Sequence, residues 1–384
     1  MQRRDFLKAL GGLTLFGVHP ARAAAGGANY RNLLFLIELK GGNDGLNTLI
    51  PYVDPDYARL RPRIAIARDQ VLPLSARAAM HPALAPLMPL WQAGQLAWVE
   101  GVGYPQPNLS HFRSIEIWDT ASRSDQTLES GWLARLFQQV PPPAGFAAEG
   151  VSVGSAELGP LAGSGARTIA LMDTERFQRQ SRLAGGAAVG TTHAALAHIL
   201  KVETDVRQAA AGLGTTARFA TTFPNSAFGN AVRAAAHVAA SPAGVAAIKL
   251  SLGSFDTHVN QPGPHARLLG ELAAGLVALT AALQEQGLWE RSLIVTYAEF
   301  GRRPAENASS GTDHGTASAH LVAGGRVRGG LVGQAPELGR LEGGNLVHAV
   351  DFRSLYATVI QRHWGLDPQA TLGGRYPALD IIKA

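Results

Sequence analysis

The sequence contains no cysteine among its 384 residues, and charged residues make up only 16% of it. The absence of cysteine excludes disulfide bonds. It does not indicate a cellular compartment, because a chain without cysteine is compatible with both oxidising and reducing environments. Lysine and arginine form no basic stripe interleaved with aromatic residues, which disfavours nucleic acid as a partner. Beyond the N-terminus, no apolar run reaches the roughly 20 residues that a membrane-spanning helix needs. What is present, a 46% hydrophobic composition, is enough for a large core.

The N-terminal segment has the features of an export signal. Arg3 and Arg4 open a stretch that resembles the twin-arginine motif, and the apolar run from Ala9 to Val18 is too short to span a bilayer. Ala21 and Ala23 flank an arginine in a small-x-small cleavage site. We therefore expect residues 1–23 to be a signal peptide, with the twin-arginine translocase as a partner during export and the periplasm as the destination; the alternative is an amphipathic surface helix. Removal of this segment lowers the formal charge of +5 to +2, since it carries four basic residues and one acid.

Four short apolar runs rich in β-branched and aromatic residues predict buried strands at residues 32–39, 96–99, 245–252 and 293–297. Segments with helical spacing separate them, among them residues 112–118, 130–140 and 265–286. Strands that alternate with helices indicate an α/β fold with a parallel sheet. We expect residues 24–384 to form one such domain, with a helical excursion around residues 160–240.

Polar side chains gather where these strands end. They are Asn43 and Asp44 after the first strand, Ser110 and His111 after the second, Asp256 and His258 after the third, and Glu299 and Arg302 after the fourth, with Asp313 and His314 in the loop that follows. Ligands of open α/β sheets bind beyond the carboxyl ends of the strands. Because carboxylates and imidazoles together suit Zn, Mn or Fe, and oxygen-rich sites suit Ca or Mg, the pattern predicts one or two divalent metal ions.

Each of these residues also has a structural interpretation. Gly, Asn and Asp are ordinary turn residues, and Ser110 would serve equally well as the N-cap of the following helix. His111 would either orient a substrate or pack, and Arg302 would be an anion clamp or a surface arginine. Residues 150–154 match G-x-S-x-G, the nucleophile elbow of serine esterases, but no helix pattern follows, so we interpret Ser152 as a polar residue in a strand.

Several segments together resemble the domain-of-unknown-function family 1501, which is grouped with the alkaline phosphatase–sulfatase superfamily. The segments are FLIELKGGNDGLNTLIPY, YPQPNLSHFRSIEIWDT, LGSFDTH, YAEFGRR and GTDHG. The resemblance covers essentially the whole chain after the signal segment. It implies an alkaline phosphatase-like fold, a three-layer α/β/α sandwich with a mainly parallel central sheet, and export by the twin-arginine route.

The resemblance also implies site roles. Asp44 matches the first metal-binding Asp, Ser110 the nucleophile that bridges the metals, and Asp256 with His258 the Asp/His pair of one metal. Glu299 falls where the superfamily has an Asp that binds metal, and His314 matches the late His. Asn43, His111 and Arg302 are the expected substrate contacts.

Two departures from the superfamily pattern leave the number of metals open. Asp256 and His258 are two residues apart where phosphatases usually show four, and Phe300 stands where a metal-binding His is usual. Asp313 would replace that ligand, or the site would hold a single ion. We therefore expect an exported, metal-dependent hydrolase of phosphate or sulfate esters, acting on a small anionic ester or an envelope polysaccharide. The alternative is a non-catalytic metal-binding protein of the same fold with a role in binding cell-envelope material or polysaccharide.

Overall fold

The computed structural model describes residues 28–172, 213 and 217–383. The expected signal peptide lies outside the described residues, as does most of the expected helical excursion. The strands, in chain order, are β1 Leu33–Leu39, β2 Leu49–Ile50, β3 Leu72–Pro73, β4 Ala79–Met80, β5 Leu96–Gly103, β6 Gly150–Val153, β7 Thr168–Leu171, β8 Ala247–Leu252, β9 Ser292–Tyr297, β10 Gly301–Glu306, β11 Thr312–Gly315, β12 Ser318–Ala323, β13 Gly330–Gly333, β14 Leu341–Glu342, β15 Asn345–Leu346 and β16 Val350–Asp351.

The helices alternate with the longer strands. In chain order they are α1 Gly45–Thr48, α2 Pro55–Leu60, α3 Met88–Gln92, α4 His111–Thr120, α5 Trp132–Gln139, α6 Ala227–Ala239, α7 Pro262–Glu285, α8 Arg353–Thr358 and α9 Gln369–Leu372. Short 3-10 helices lie at Pro82–Leu87, Gly159–Leu161 and Trp289–Arg291, and a π-helical turn at Val359–His363 continues α8.

The central sheet, within the described part of the chain, has nine strands in the order β13-β5-β12-β9-β1-β8-β6-β7, with β16 beside β5. All of its neighbours pair in parallel except β12, which is antiparallel to β5 and β9. Every residue of β1 and β9 is buried, which explains why their sequences are continuous apolar runs rather than alternating ones. The predicted fold class, mixed α/β with a mainly parallel central sheet, is confirmed.

Each face of the sheet packs against helices. Phe228 of α6 and Leu272 of α7 belong to the apolar core on one face, whereas Trp118 of α4, Trp132 of α5 and Tyr356 of α8 belong to the core on the other. The sheet is therefore the middle of three layers.

One described helix, Pro262–Glu285, is long and apolar enough to span a membrane, and 61% of its most apolar window is buried inside the fold. One local expectation is wrong. Residues 168–171, within the stretch expected to be helical, form β7 because they extend the sheet beside β6.

Candidate metal centre

The carboxyl ends of β1, β8 and β9 meet at one edge of the sheet, since β1 pairs in parallel with both neighbours. The loops that leave these strands carry Asp44, Asp256 and Glu299 respectively. The N-terminus of α4 brings His111 to the same edge, and the hairpin formed by β10 and β11 brings His314, which pairs with Arg302 across the hairpin. The fold thus gathers distant parts of the sequence, as the sequence predicts for parallel strands.

A glycine makes the close approach of two of these loops feasible. Gly41 has a φ of +112°, and a Cβ at this position would lie 2.5 Å from the backbone nitrogen of Asp256. Its own N–H donates a 2.9 Å hydrogen bond to Oε1 of Glu299. Any side chain here would separate the loop after β1 from the loop after β8.

Three side chains converge at the centre of the site. His111, Asp256 and His314 each offer one ligand atom, and these atoms all lie within 4.8 Å of one another. Nε2 of His111 is 3.3 Å from Oδ2 of Asp256, and Nε2 of His314 is 3.2 Å from Oδ1. Two imidazole nitrogens and a carboxylate are donors that Zn or Mn would accept. We refer to these three residues as the triad.

The partners of the two imidazoles determine which nitrogen faces the triad's centre as a lone pair. Nδ1 of His314 lies 2.8 Å from the carbonyl oxygen of Leu109, and Nδ1 of His111 lies 2.9 Å from Oε1 of Glu299. Both partners accept hydrogen bonds, so in the tautomer with the proton on Nδ1 each Nε2 keeps its lone pair. Both lone pairs then face a carboxylate, and a cation between them would relieve that repulsion.

Electrostatics keep the triad in the form that binds metal. Burial, together with the Arg302 guanidinium, lowers the pKa of His314, so the ring is neutral at neutral pH. Burial by itself would raise the pKa of Asp256, but the hydrogen bond and charge of Arg302 lower it below its usual value. Metal ligands must be deprotonated, and these two are.

His258 and Asp313 lie beside the triad. Nε2 of His258 is 2.9 Å from Oδ1 of Asp256 and 3.1 Å from Nε2 of His314. Asp313 is more distant, with Oδ1 at 3.5 Å from Nδ1 of His258, and its side chain is 56% exposed. His258 is therefore adjacent to the triad, and Asp313 reaches it only through His258.

Glu299 contacts the triad through His111. Oε1 accepts from the backbone of Gly41 and from His111, whereas the buried Oε2 has no hydrogen-bond partner. An unsatisfied buried carboxylate oxygen is costly unless another group reaches it, so it is a second feature of the site that fits a cation.

The other expected ligand, Asp44, lies outside the triad. Its side chain is wholly buried, with Oδ2 at 2.6 Å from Nη1 of Arg61 and 2.5 Å from Nε2 of Gln261. Its Oδ1 accepts from the backbone of Leu46 and Asn47 and so caps α1. The Arg61 guanidinium lowers the pKa of Asp44 despite the opposing effect of burial.

Asn43 and Arg302, both expected to touch substrate, are also buried. Asn43 bonds Thr48 and His265 through its amide group. The side chain of Arg302 is fully buried and donates to the carbonyl oxygens of Gly41, Gly42 and Thr312 as well as to Asp256. Arg302 therefore holds the loops together and has no surface with which to clamp an anion.

Ser110 occupies the N-cap position of α4, but its side chain makes no capping hydrogen bond. The residue is exposed and lies between Leu109, whose carbonyl oxygen contacts His314, and His111 of the triad. The hydroxyl oxygen of a serine that caps a helix accepts a hydrogen bond from a backbone N–H of the first turn. The hydroxyl of Ser110 is not used in this way and is available for other chemistry.

Ser152, by contrast, is buried within β6, and its hydroxyl donates to the carbonyl oxygen of Glu157 at 2.8 Å. A short 3-10 helix at Gly159–Leu161 follows, not the long helix of a nucleophile elbow. The interpretation of Ser152 as a polar strand residue agrees with this placement.

Phe300 lies where the superfamily pattern has a metal ligand. Its ring is almost completely buried, with its centroid 4.3 Å from that of His314 and 4.9 Å from that of His111. An apolar ring thus packs against both imidazoles of the triad. His258 and Glu299 are the other potential metal ligands that lie beside the triad.

A cavity of about 570 Å³ opens beside the triad and is lined by His111, Asp256 and Glu299 at one end. At the other end it is lined by charged residues that the sequence patterns did not single out, namely Glu38, Lys40, Asp119, Glu157 and Lys249. One sequence signal was available, because a lysine at position 249 interrupts an otherwise apolar strand run.

The family model described as a protein of unknown function (DUF1501) matches residues 91–376. Among solved structures, the chain is similar to an alkaline phosphatase superfamily protein from Vibrio parahaemolyticus, with 10% identity over 90% of this chain and 69% of that one and a TM-score of 0.42. It is similar to the PsFucS1 sulfatase from Pseudoalteromonas sp., with 11% identity over 91% and 70% and a TM-score of 0.42.

The chain is also similar to the C-terminal periplasmic domain of EcEptC from Escherichia coli, in complex with Zn, with 10% identity over 76% and 72% of the two chains and a TM-score of 0.36. No curated protein matches the chain.

Proposed function

The chain belongs to the DUF1501 family of proteins of unknown function, and from the geometry of its metal centre we propose that it is an exported, metal-dependent hydrolase of phosphate or sulfate esters. The observation that supports this most is the convergence of His111, Asp256 and His314 beside Ser110, whose hydroxyl is not used in helix capping. A bound divalent cation would supply Lewis-acid stabilisation of the charge on the ester oxygens.

The residues around the cation have distinct roles in this proposal. His111, Asp256 and His314 would bind it, while Glu299 orients His111 through Nδ1 and the carbonyl oxygen of Leu109 orients His314 in the same way. The ten-residue α4 begins at His111, a member of the triad, so the N-terminus of this helix lies at the site. The free backbone N–H groups of a helix N-terminus favour an anionic substrate group. These groups would hold the ester's non-bridging oxygens.

Ser110 is the proposed nucleophile. Its oxygen forms a bond to phosphorus or sulfur as the bond to the alcohol oxygen breaks, its own proton passes to solvent, and the departing alkoxide takes up a proton. Water then cleaves the seryl ester and restores the hydroxyl. The net reaction consumes one ester and one water and releases an alcohol and phosphate or sulfate.

Export is part of the proposal and rests on the sequence alone. The twin arginines Arg3 and Arg4, the short apolar run and the small-x-small site precede the folded domain. Fusion of residues 1–30 to a reporter that is active only after folded export would test it, and replacement of both arginines by lysine should abolish the signal.

The catalytic proposal is tested with protein saturated in turn with Zn, Mn and Ca, assayed against 4-nitrophenyl phosphate, 4-nitrophenyl sulfate and 4-nitrophenyl acetate. Ser110→Ala and Asp256→Asn should each abolish hydrolysis of the phosphate or sulfate ester. Exposed Ser164→Ala is the matched control and should retain it. Loss of activity in Ser152→Ala with full activity in Ser110→Ala would refute the site.

A second function, metal binding without catalysis, is favoured by Phe300 and Asp44. Phe300 packs against both imidazoles of the triad and offers no ligand atom. Asp44 is paired with Arg61 and Gln261. Neither residue is therefore available to bind a second metal ion. Such a protein would recognise cell-envelope material through the bound ion. Tight metal binding with no turnover of any ester would support this alternative.

A further inference from the structure

One face of α4 lines the cavity beside the triad. Phe112, Ile115 and Asp119 recur at intervals of three and four residues, which places them in one row along the helix. Phe112 is 89% exposed, more than any other large apolar side chain among the described residues. An exposed aromatic ring at the mouth of a cavity provides a flat apolar surface on which a ligand ring can pack.

The opposite wall of the cavity is polar and comes from the sheet. Glu38 on β1 pairs with Ser251 on β8 and with Tyr297 on β9, so the three side chains lie in a row on one face. Lys249, two residues before Ser251, is on the same face, and its Nζ lies 2.8 Å from Oε2 of Glu38.

The polar wall carries hydrogen-bonding groups but little net charge. Lys249 and Glu38 form one ion pair, and Lys40 and Glu157 form a second at 2.7 Å. Burial and the nearby Glu38 raise the pKa of Asp119 well above its usual value, and Tyr297 lies 3.3 Å from its Oδ1. The Tyr297 hydroxyl donates to Oδ1 of Asp119, so this carboxyl group has a fixed position on the wall and a second oxygen for a ligand hydroxyl.

This combination selects one class of ligand. A second anion would find no unpaired lysine on this wall, and an acyl chain would place hydrocarbon against polar side chains, which costs their hydration. A pyranose has an apolar face of C–H groups that fits the electron-rich face of an aromatic ring, and hydroxyl groups that pair with carboxyl and ammonium groups.

From this geometry we infer that the cavity between α4 and the ends of β1 and β8 is a sugar subsite, in which Phe112 packs on a pyranose ring and Asp119 and Glu157 bind its hydroxyls. The inference rests on the proposed function in one respect: the sugar would be the alcohol part of the ester whose anionic group lies at the triad.

Binding is tested separately from turnover. Metal-loaded protein is applied to an array of hexose, deoxyhexose and N-acetylhexosamine oligosaccharides, each in plain, sulfated and phosphorylated form. The wild type should retain a subset of sugars, and Phe112→Ala should weaken that binding by about tenfold, the loss expected for one ring contact. Met172→Ala, which removes another exposed apolar side chain outside the cavity, is the control and should bind as the wild type does.

Asp119 has a conservative test. Asp119→Asn keeps a polar group that can bind a ligand hydroxyl and should retain binding, whereas Asp119→Leu should lose it. No retained sugar, or equal retention by wild type and Phe112→Ala, would overturn the subsite. Hydrolysis of ethyl phosphate or ethyl sulfate without any sugar binding would overturn the subsite alone, and Phe112-dependent sugar binding without hydrolysis of any ester would overturn the proposed function alone.

Discussion

Arg302 Nη2 lies 2.5 Å from Oδ1 of Asp256, and the guanidinium is completely buried while the carboxylate is 42% exposed. The loops behind the site thus hold the Arg302 guanidinium in place, and the Asp256 carboxylate faces the cavity. Because Asp256 already has one positive neighbour, its charge is held in place before any metal ion arrives. Preorganisation of this kind lowers the cost of binding.

Replacing Arg302 should disrupt the site through the fold. Arg302→Lys keeps the charge but cannot bond Gly42, Thr312 and Asp256 at once, because an ammonium lacks the planar fork. We expect the free energy of unfolding to fall by about 1–3 kcal/mol, the cost of leaving buried carbonyl oxygens without a donor. Urea unfolding measures it, with the less buried neighbour Arg303→Lys as the control. Equal midpoints for the two variants would contradict the structural role.

Replacing Glu299 should lower the affinity for a metal ion without unfolding the protein. In Glu299→Gln the side chain no longer presents a carboxylate to Nδ1 of His111, so the imidazole is oriented less firmly and is a weaker ligand. Loss of such a partner typically costs about 10–100-fold in affinity. Competition with a chromophoric zinc chelator measures this. Glu116→Gln, which alters the Arg113 pair on the same helix, should leave affinity unchanged.

Asp44 provides a test between ligand and structural anchor. Asp44→Asn leaves the buried Arg61 without its carboxylate, so we expect the free energy of unfolding to fall by about 3–5 kcal/mol. The triad does not contact Asp44, so the folded variant should still bind one equivalent of zinc. A variant of normal stability that binds no zinc would instead make Asp44 a metal ligand, as the family resemblance implies.

Buried histidines should make the protein less stable in mild acid. Burial lowers the pKa of His320 to about 3, whereas the unfolded chain takes up this proton near pH 6.5. The unfolded state therefore binds more protons between these values, and stability falls with falling pH by up to about 1.4 kcal/mol per unit for this group. Urea unfolding from pH 7.5 to pH 5 measures the slope, which should be shallower in His320→Phe. An identical slope would show that His320 takes up its proton as readily in the folded protein as in the unfolded chain.

The strands and the edge at which function is concentrated were predictable from the sequence. The strands β1 and β9 are buried on both faces of the sheet. Their mainly apolar sequences are sufficient to predict this burial. Parallel pairing then places the ends of successive strands together, so Asp256 and His314 could be expected at one edge without knowledge of any contact.

The partners of each side chain depended on the tertiary structure. Asp44 and Asp256 both follow a strand. Asp44 is buried and paired with Arg61, whereas Asp256 contacts His111 and His314 and faces the cavity. Nothing within either segment encodes this difference, because Arg61 and His111 come from elsewhere in the chain. The same holds for Arg302, whose burial depends on three separate loops.

The sequence by itself therefore determined a parallel α/β sheet and the set of polar residues at its carboxyl edge, since both follow from local periodicity and from the direction of parallel strands. The tertiary structure alone decided which of those residues bind one another and which are left to bind something else. Asp44 and Asp256 both follow a strand in the sequence. Long-range packing places Asp44 against the buried Arg61 guanidinium and Asp256 beside the imidazoles of His111 and His314.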